Sequence, residues 1–224
     1  MRIRPHLRRL KASRSYGFVL LLVLTTFGFV AAAPDEQWSR AVLVLLLALT
    51  LGVALWTSAA TGRLDIVATC LAVVGATGAI LELLTANANA TGLLGLLDVL
   101  LIAATCGVIV FGIGDQHGVN FQSVLGALCI YLLIGLLYTF TYGAIAALQS
   151  GPFFAQGTDG TASIRLYFSV VSLATVGYGD YTAATDLGRT VAGSEGLLGQ
   201  VYLVTVVAVI VSRLRPRSTR TNEQ

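Results

Sequence analysis

The chain has 224 residues, of which 56% are hydrophobic and only 11% charged, with a mean hydropathy of +0.82 and a formal net charge of +3. Soluble domains carry roughly 25% charged residues, so this composition excludes a sizeable soluble domain and predicts an all-α membrane protein. No Walker-type loop, HExxH motif or zinc-spaced His/Cys cluster is present, so neither catalysis nor a resident cofactor is expected, and no nucleic-acid partner.

A spanning helix needs about 20 mostly apolar residues. Residues 1–15 form a basic tail with Arg2, Arg4, Arg8, Arg9, Lys11 and Arg14. Apolar runs follow at 16–33, 39–60, 64–85, 93–114, 121–148 and 190–212, and residues 213–224 form a second basic tail. The segment 149–189 lies between the last two runs. The predicted architecture is therefore six transmembrane helices and one re-entrant loop, with a four-helix membrane domain over 16–114 and a second unit over 119–212.

The first run also has features of a secretory signal, a basic start and Ala31-Ala32-Ala33 before Pro34. Its apolar stretch from Gly17 to Ala33 exceeds the usual 7–15-residue core, so it is expected to be retained. Eleven of the fourteen basic residues (the two tails plus Arg63) fall on one side if both ends are cytoplasmic. An even helix count requires both ends on one side, so charge and count agree. The tails also suit anionic lipid headgroups, though topology signalling alone accounts for them. One lysine against thirteen arginines points to a GC-rich bacterial genome. Cys70, Cys106 and Cys129 sit in apolar runs and read as small buried hydrophobes.

Within the loop, Ser150–Ala162 is Gly-rich, and Ser163–Ala174 reads as a short helix with Ser163 at its N-cap. Twelve residues cannot span a membrane, but a buried half-helix is tolerated, and its C-terminal end carries partial negative charge. It leads into Thr175-Val176-Gly177-Tyr178-Gly179-Asp180. Gly177 and Gly179 permit positive φ, which a row of carbonyls aimed at one axis requires. The hexapeptide resembles the selectivity filter of potassium channels, and the resemblance covers about 119–212, including Tyr131–Tyr138 of the preceding helix.

The resemblance implies a homotetrameric pore in a bacterial plasma membrane, with potassium as the permeant ion and no other cofactor. Backbone carbonyls of four loops replace the hydration shell of the ion. Thr175, Val176, Gly177 and Tyr178 would coordinate it, and Asp180 would hold the outer end of the strand. Val176 and Tyr178 would turn their side chains into surrounding protein. Tyr167 and Phe168 match the aromatic collar that braces the filter, with Val171 and Ser172 behind it. Ser172 and Ala174 replace the threonines frequent in the family, and Val171 stands where some relatives have glutamate. A relaxed, non-selective cation pore and a non-conducting scaffold or sensor are the alternative readings.

In the last helix Glu195 and Gly199 form an E-x-x-x-G pattern. Glu195 is an ionisable residue inside a membrane helix and so a functional candidate. It either faces the central cavity or hydrogen-bonds behind the pore helix, to Ser169 or Ser172; the second is favoured. Gly199 matches a glycine at which the family's inner helix bends. Gln200 lies about 140° round from Glu195 and is the candidate for the cavity. Asp180 and Asp186 offer rings of carboxylates at the mouth, with Arg165 and Arg189 as pairing partners.

Six helices with a loop between the last two is the layout of voltage-gated channels. Sensing needs about 3–4 arginines per subunit on the fourth helix, and 93–114 has none, Asp98 being its only charge. No working voltage sensor is expected, and the first four helices read as a scaffold whose Gly, Ala and Thr suit close packing. Glu82 and Asp98 are expected as interfacial carboxylates in contact with water, although a pH-sensing or cation-binding role also fits. His117 falls in the connection to the pore, where gating could be coupled. The gating stimulus and any accessory subunit do not follow from the sequence.

Overall fold

The computed structural model describes residues 16–58, 66, 69–75, 77, 91–114 and 121–214. It contains the helices α1 (Tyr16–Ala32), α2 (Gln37–Ser58), α3 (Thr91–Gly114), α4 (Phe121–Leu148), α5 (Ala162–Leu173) and α6 (Asp186–Leu214), and no β-sheet among the described residues, where 175–180 is an unpaired strand. Residues 69–75 are also helical. Most of the run at 64–85, with Glu82, lies outside the described residues, as do His117 and the basic residues of both tails except Arg213. Among the described residues three helices are long and apolar enough to cross a membrane, Trp38–Ser58, Gly95–Gly114 and Phe121–Leu148.

Helices are what an apolar solvent permits, because each satisfies its own backbone. The hydroxyls follow the same rule. Thr25, Thr26, Thr50, Thr105, Thr139 and Thr141 each donate to the carbonyl four residues back, at 2.7–2.9 Å. Small residues let the helices approach closely. Gly126 of α4 lies against Ile113 of α3, where a Cβ would stand 2.7 Å from the Ile113 side chain.

α1 packs on α2, α4 and α5; α3 bridges α2 and α4; α5 sits between α4 and α6. The first helix is thus an integral wall, burying Tyr16, Val19, Val23, Thr26 and Val30. Tyr16 N donates to Gln122 Oε1 of α4 at 2.8 Å. Ser163 is not the N-cap of α5. Thr161 is, its hydroxyl accepting from Ile164 N at 3.2 Å, while Ser163 Oγ donates to Ala31 O at the end of α1 (3.0 Å).

Two expectations about burial are corrected. Cys129 is buried and Cys106 half-buried, but Cys70 is exposed, and all three thiols are free. Asp98 is not in open contact with water; it is 6% exposed, because α2 and α4 flank α3 at this level.

Candidate functional site: the re-entrant loop

The loop before α5 is shaped by three glycines in the left-handed region, Gly151, Gly157 and Gly160. Phe153 and Phe154 are fully buried there, in an aromatic cluster with Tyr142 of α4 and Phe168 of α5, centroids 4.8–6.2 Å apart. Phe168 therefore faces the loop before α5 rather than the 175–180 strand. Tyr167, about 100° round α5 from Phe168, meets that strand. Its hydroxyl donates to Asp180 Oδ2 at 2.8 Å, and its ring stacks on Tyr178 at 6.4 Å with planes 3° apart.

α5 ends where its last carbonyls are claimed from outside the helix. Ser172 O accepts from Thr175 N at 2.9 Å, and Val171 O from Val176 N at 2.9 Å and Gly177 N at 3.4 Å. Val171 and Ser172 thus contribute through their backbones. The strand then has positive φ at every second residue, Thr175 (56°), Gly177 (57°) and Gly179 (78°), with Val176 and Tyr178 between them in the ordinary region. Successive peptides of an extended chain point to opposite sides; alternating handedness brings successive carbonyls to one side. Two positions are glycines, for which this conformation has no steric cost. Thr175 bears a Cβ there, which costs roughly 1–2 kcal/mol, and the three amides tied back to α5 hold it in place. The sequence pattern signalled the glycines but not the strained Thr175.

The C-terminal end of the strand is fastened by Gln156, which the sequence reading missed. Its Nε2 donates to Asp180 O at 2.7 Å, and its Oε1 accepts from Thr182 N at 3.3 Å. Backbone pairs Ala155 N to Thr182 O and Ala184 N to Phe153 O, both 2.8 Å, run alongside. Arg165 pairs with neither Asp180 nor Asp186; its Nη1 donates to the carbonyls of Asp159 (3.2 Å) and Gly160 (2.6 Å). Arg189 does meet Asp186, at 3.8 Å between highly exposed side chains, a pair of small energetic weight.

Glu195 of α6 is wholly buried, behind α5. Ser169 Oγ donates to its Oε1 at 2.5 Å, and Tyr142 OH donates to its Oε2. The carboxylate therefore joins α4, α5 and α6 at one point. Ser172 is not its partner; its backbone carbonyl serves the strand instead. Gly199, one turn on, lies on the same face, and a Cβ there would stand 2.2 Å from Leu173 O. α6 runs unbroken through Gly199, so close approach to α5 accounts for this glycine without a bend. Gln200 is exposed.

Within one chain Val176 and Tyr178 are 52% and 71% exposed, and Thr175, Gly177, Gly179 and Asp180 are exposed as well. The strand lies on the surface, not buried in surrounding protein of the same chain. Asp186 also carries an exposed side chain.

Residues 126–215, from early in α4 to just past α6, match the model of a family described as ion channel. No curated protein and no solved structure matches the chain. The match supports an ion channel in a membrane, and the family matched is one of channels and not of enzymes.

Proposed function

We propose that the protein is a potassium-selective channel, a homotetramer in the plasma membrane with both ends cytoplasmic, through which ions move passively. The observation that carries this reading is the alternation of backbone handedness at Thr175, Gly177 and Gly179. It turns a short strand into a row of oxygens fit to replace water around a cation. Potassium would be held by Thr175, Val176, Gly177 and Tyr178, with Asp180 at the outer mouth. One strand supplies one quarter of a coordination shell, so the reading requires four copies about an axis. The exposed flanks of the strand are the surfaces such copies would cover. Tyr167, Phe168, Val171, Ser172 and Glu195 support the strand from behind, and Gln200 faces the central cavity.

A non-selective cation pore is the second reading. Among the described residues, Tyr178 and Gly179 make no hydrogen bond through their amides, so the upper strand owes its shape to its ends.

The test is flux of potassium and sodium through purified protein in liposomes, with Gly177→Ala as control, since alanine is strained at φ 57°. Potassium flux that exceeds sodium flux and is lost in the control supports the proposal. Comparable sodium flux moves the assignment to the second reading. No flux of either ion over a range of pH, voltage and membrane tension favours a non-conducting scaffold.

A further inference from the structure

Away from the strand, the outward ends of four helices and two loops enclose a cavity of about 260 Å³. Its walls are the turn after α1, the first turns of α2, α3 and α5, the last turns of α4, and the loop before α5. The lining combines five charges, Asp35, Arg40, Asp98, Asp159 and Arg165, with apolar wall from Leu43 and Phe140. The volume lies just below the 300–1,000 Å³ typical of pockets for drug-sized ligands, so it suits a molecule of a few heavy atoms.

The two arginines retain binding capacity. Arg165 uses only Nη1, on the carbonyls of Asp159 and Gly160. Its Nε and Nη2, the edge that takes an acid group in bidentate fashion, make no hydrogen bond. The guanidinium of Arg40 makes neither hydrogen bond nor ion pair. One of the three carboxylates sits further along its helix. Arg40 and Arg165 are each the fourth residue of their helix, whereas Asp98 is the eighth of α3. At about 1.5 Å per residue, the Cα atoms of Arg40 and Arg165 lie roughly 5 Å along their helices from the first residue, and that of the buried Asp98 roughly 10 Å along α3.

A lone anion entering this cavity would meet three carboxylates, and a lone cation two guanidiniums. One molecule carrying both charges satisfies both sets. We infer that the cavity binds a small zwitterion with a primary ammonium and a phosphate or carboxylate, the ammonium at Asp98 and the acid group between Arg40 and Arg165. The same chemistry occurs in soluble phosphoethanolamine and in the phosphatidylethanolamine headgroup. The inference rests on the helix packing and not on conduction, so binding is measured without flux.

The experiment is calorimetric titration and thermal unfolding of the full-length protein with phosphoethanolamine, and with inorganic phosphate and ethylamine separately. A parallel arm measures retention of phosphatidylethanolamine against phosphatidylcholine by native mass spectrometry. Saturable phosphoethanolamine binding that neither half reproduces, weakened at least fivefold by Asp98→Asn and by Arg40→Gln, supports the site with a soluble ligand. Selective lipid retention, lost in the same variants and without soluble binding, supports it with a headgroup. Equal binding of phosphate alone, no binding in either arm, or binding that both variants leave intact overturns it. Arg40→Gln changes an exposed side chain with no partner, so it reports on the site even if Asp98→Asn does not fold.

Discussion

Glu195 and Gly199 show how much one helical face can carry. Two hydroxyls converge on the buried carboxyl group, and leaving a buried acceptor without its donor costs about 1–3 kcal/mol. Tyr142→Phe is expected to destabilise the protein by about 1–2 kcal/mol, because it leaves Glu195 Oε2 without its donor. In that background Glu195→Gln should cost less than it does alone. A double-mutant cycle on thermal unfolding in detergent checks this, and strictly additive effects would refute the bridge. Gly199→Ala should cost about 1–3 kcal/mol by forcing α6 away from Leu173 O. Gly193→Ala, where a Cβ meets nothing within 4 Å, should be neutral or up to about 1 kcal/mol stabilising. Equal losses at the two glycines would sink the close-approach explanation.

At the scale of elements, the strand is shaped by what lies at its two ends. Below, the C-terminal carbonyls of α5 take three of its amides; above, Gln156 and Tyr167 hold Asp180. Gln156→Ala removes two hydrogen bonds from the 180–182 segment. Amide exchange at Thr182 is expected to accelerate while that of α4 does not change; unchanged exchange at Thr182 would remove Gln156 from the support. The helices and the strand were legible because apolar length and a Gly-x-Gly spacing are local signals. Thr161, Gln156 and Tyr142 were not, because a cap two residues off, a loop glutamine and a tyrosine in an apolar run acquire their roles only when distant segments meet. Asp98 was misread for the same reason: its burial depends on α2 and α4, not on its position in α3.

For the whole molecule, α1 to α3 form a wall on α4 and α5. α3 carries no Arg or Lys, so it holds none of the arginines that a sensing helix moves through the field. The ratio of open to closed channels is expected to vary weakly with voltage, without the steep sigmoid that 3–4 gating charges per subunit produce. A conductance–voltage curve measures this, and a steep one would overturn the reading of the four-helix domain as scaffold. The resemblance covering 119–212 made the helix–loop–helix order of that half readable in outline. Nothing comparable covered the first half, whose packing emerged only from the three-dimensional arrangement.

The two contacts of α5 with its neighbours have a mechanical consequence. The helix is a short rod pinned at both ends, by Ser163 to the end of α1 and by Leu173 against Gly199 of α6. Such a rod cannot tilt unless one pin gives way. Motion that alters the strand must then arise in the six residues beyond the rod, where alternate handedness already stores torsional strain at Thr175, while the rod itself behaves as a fixed strut.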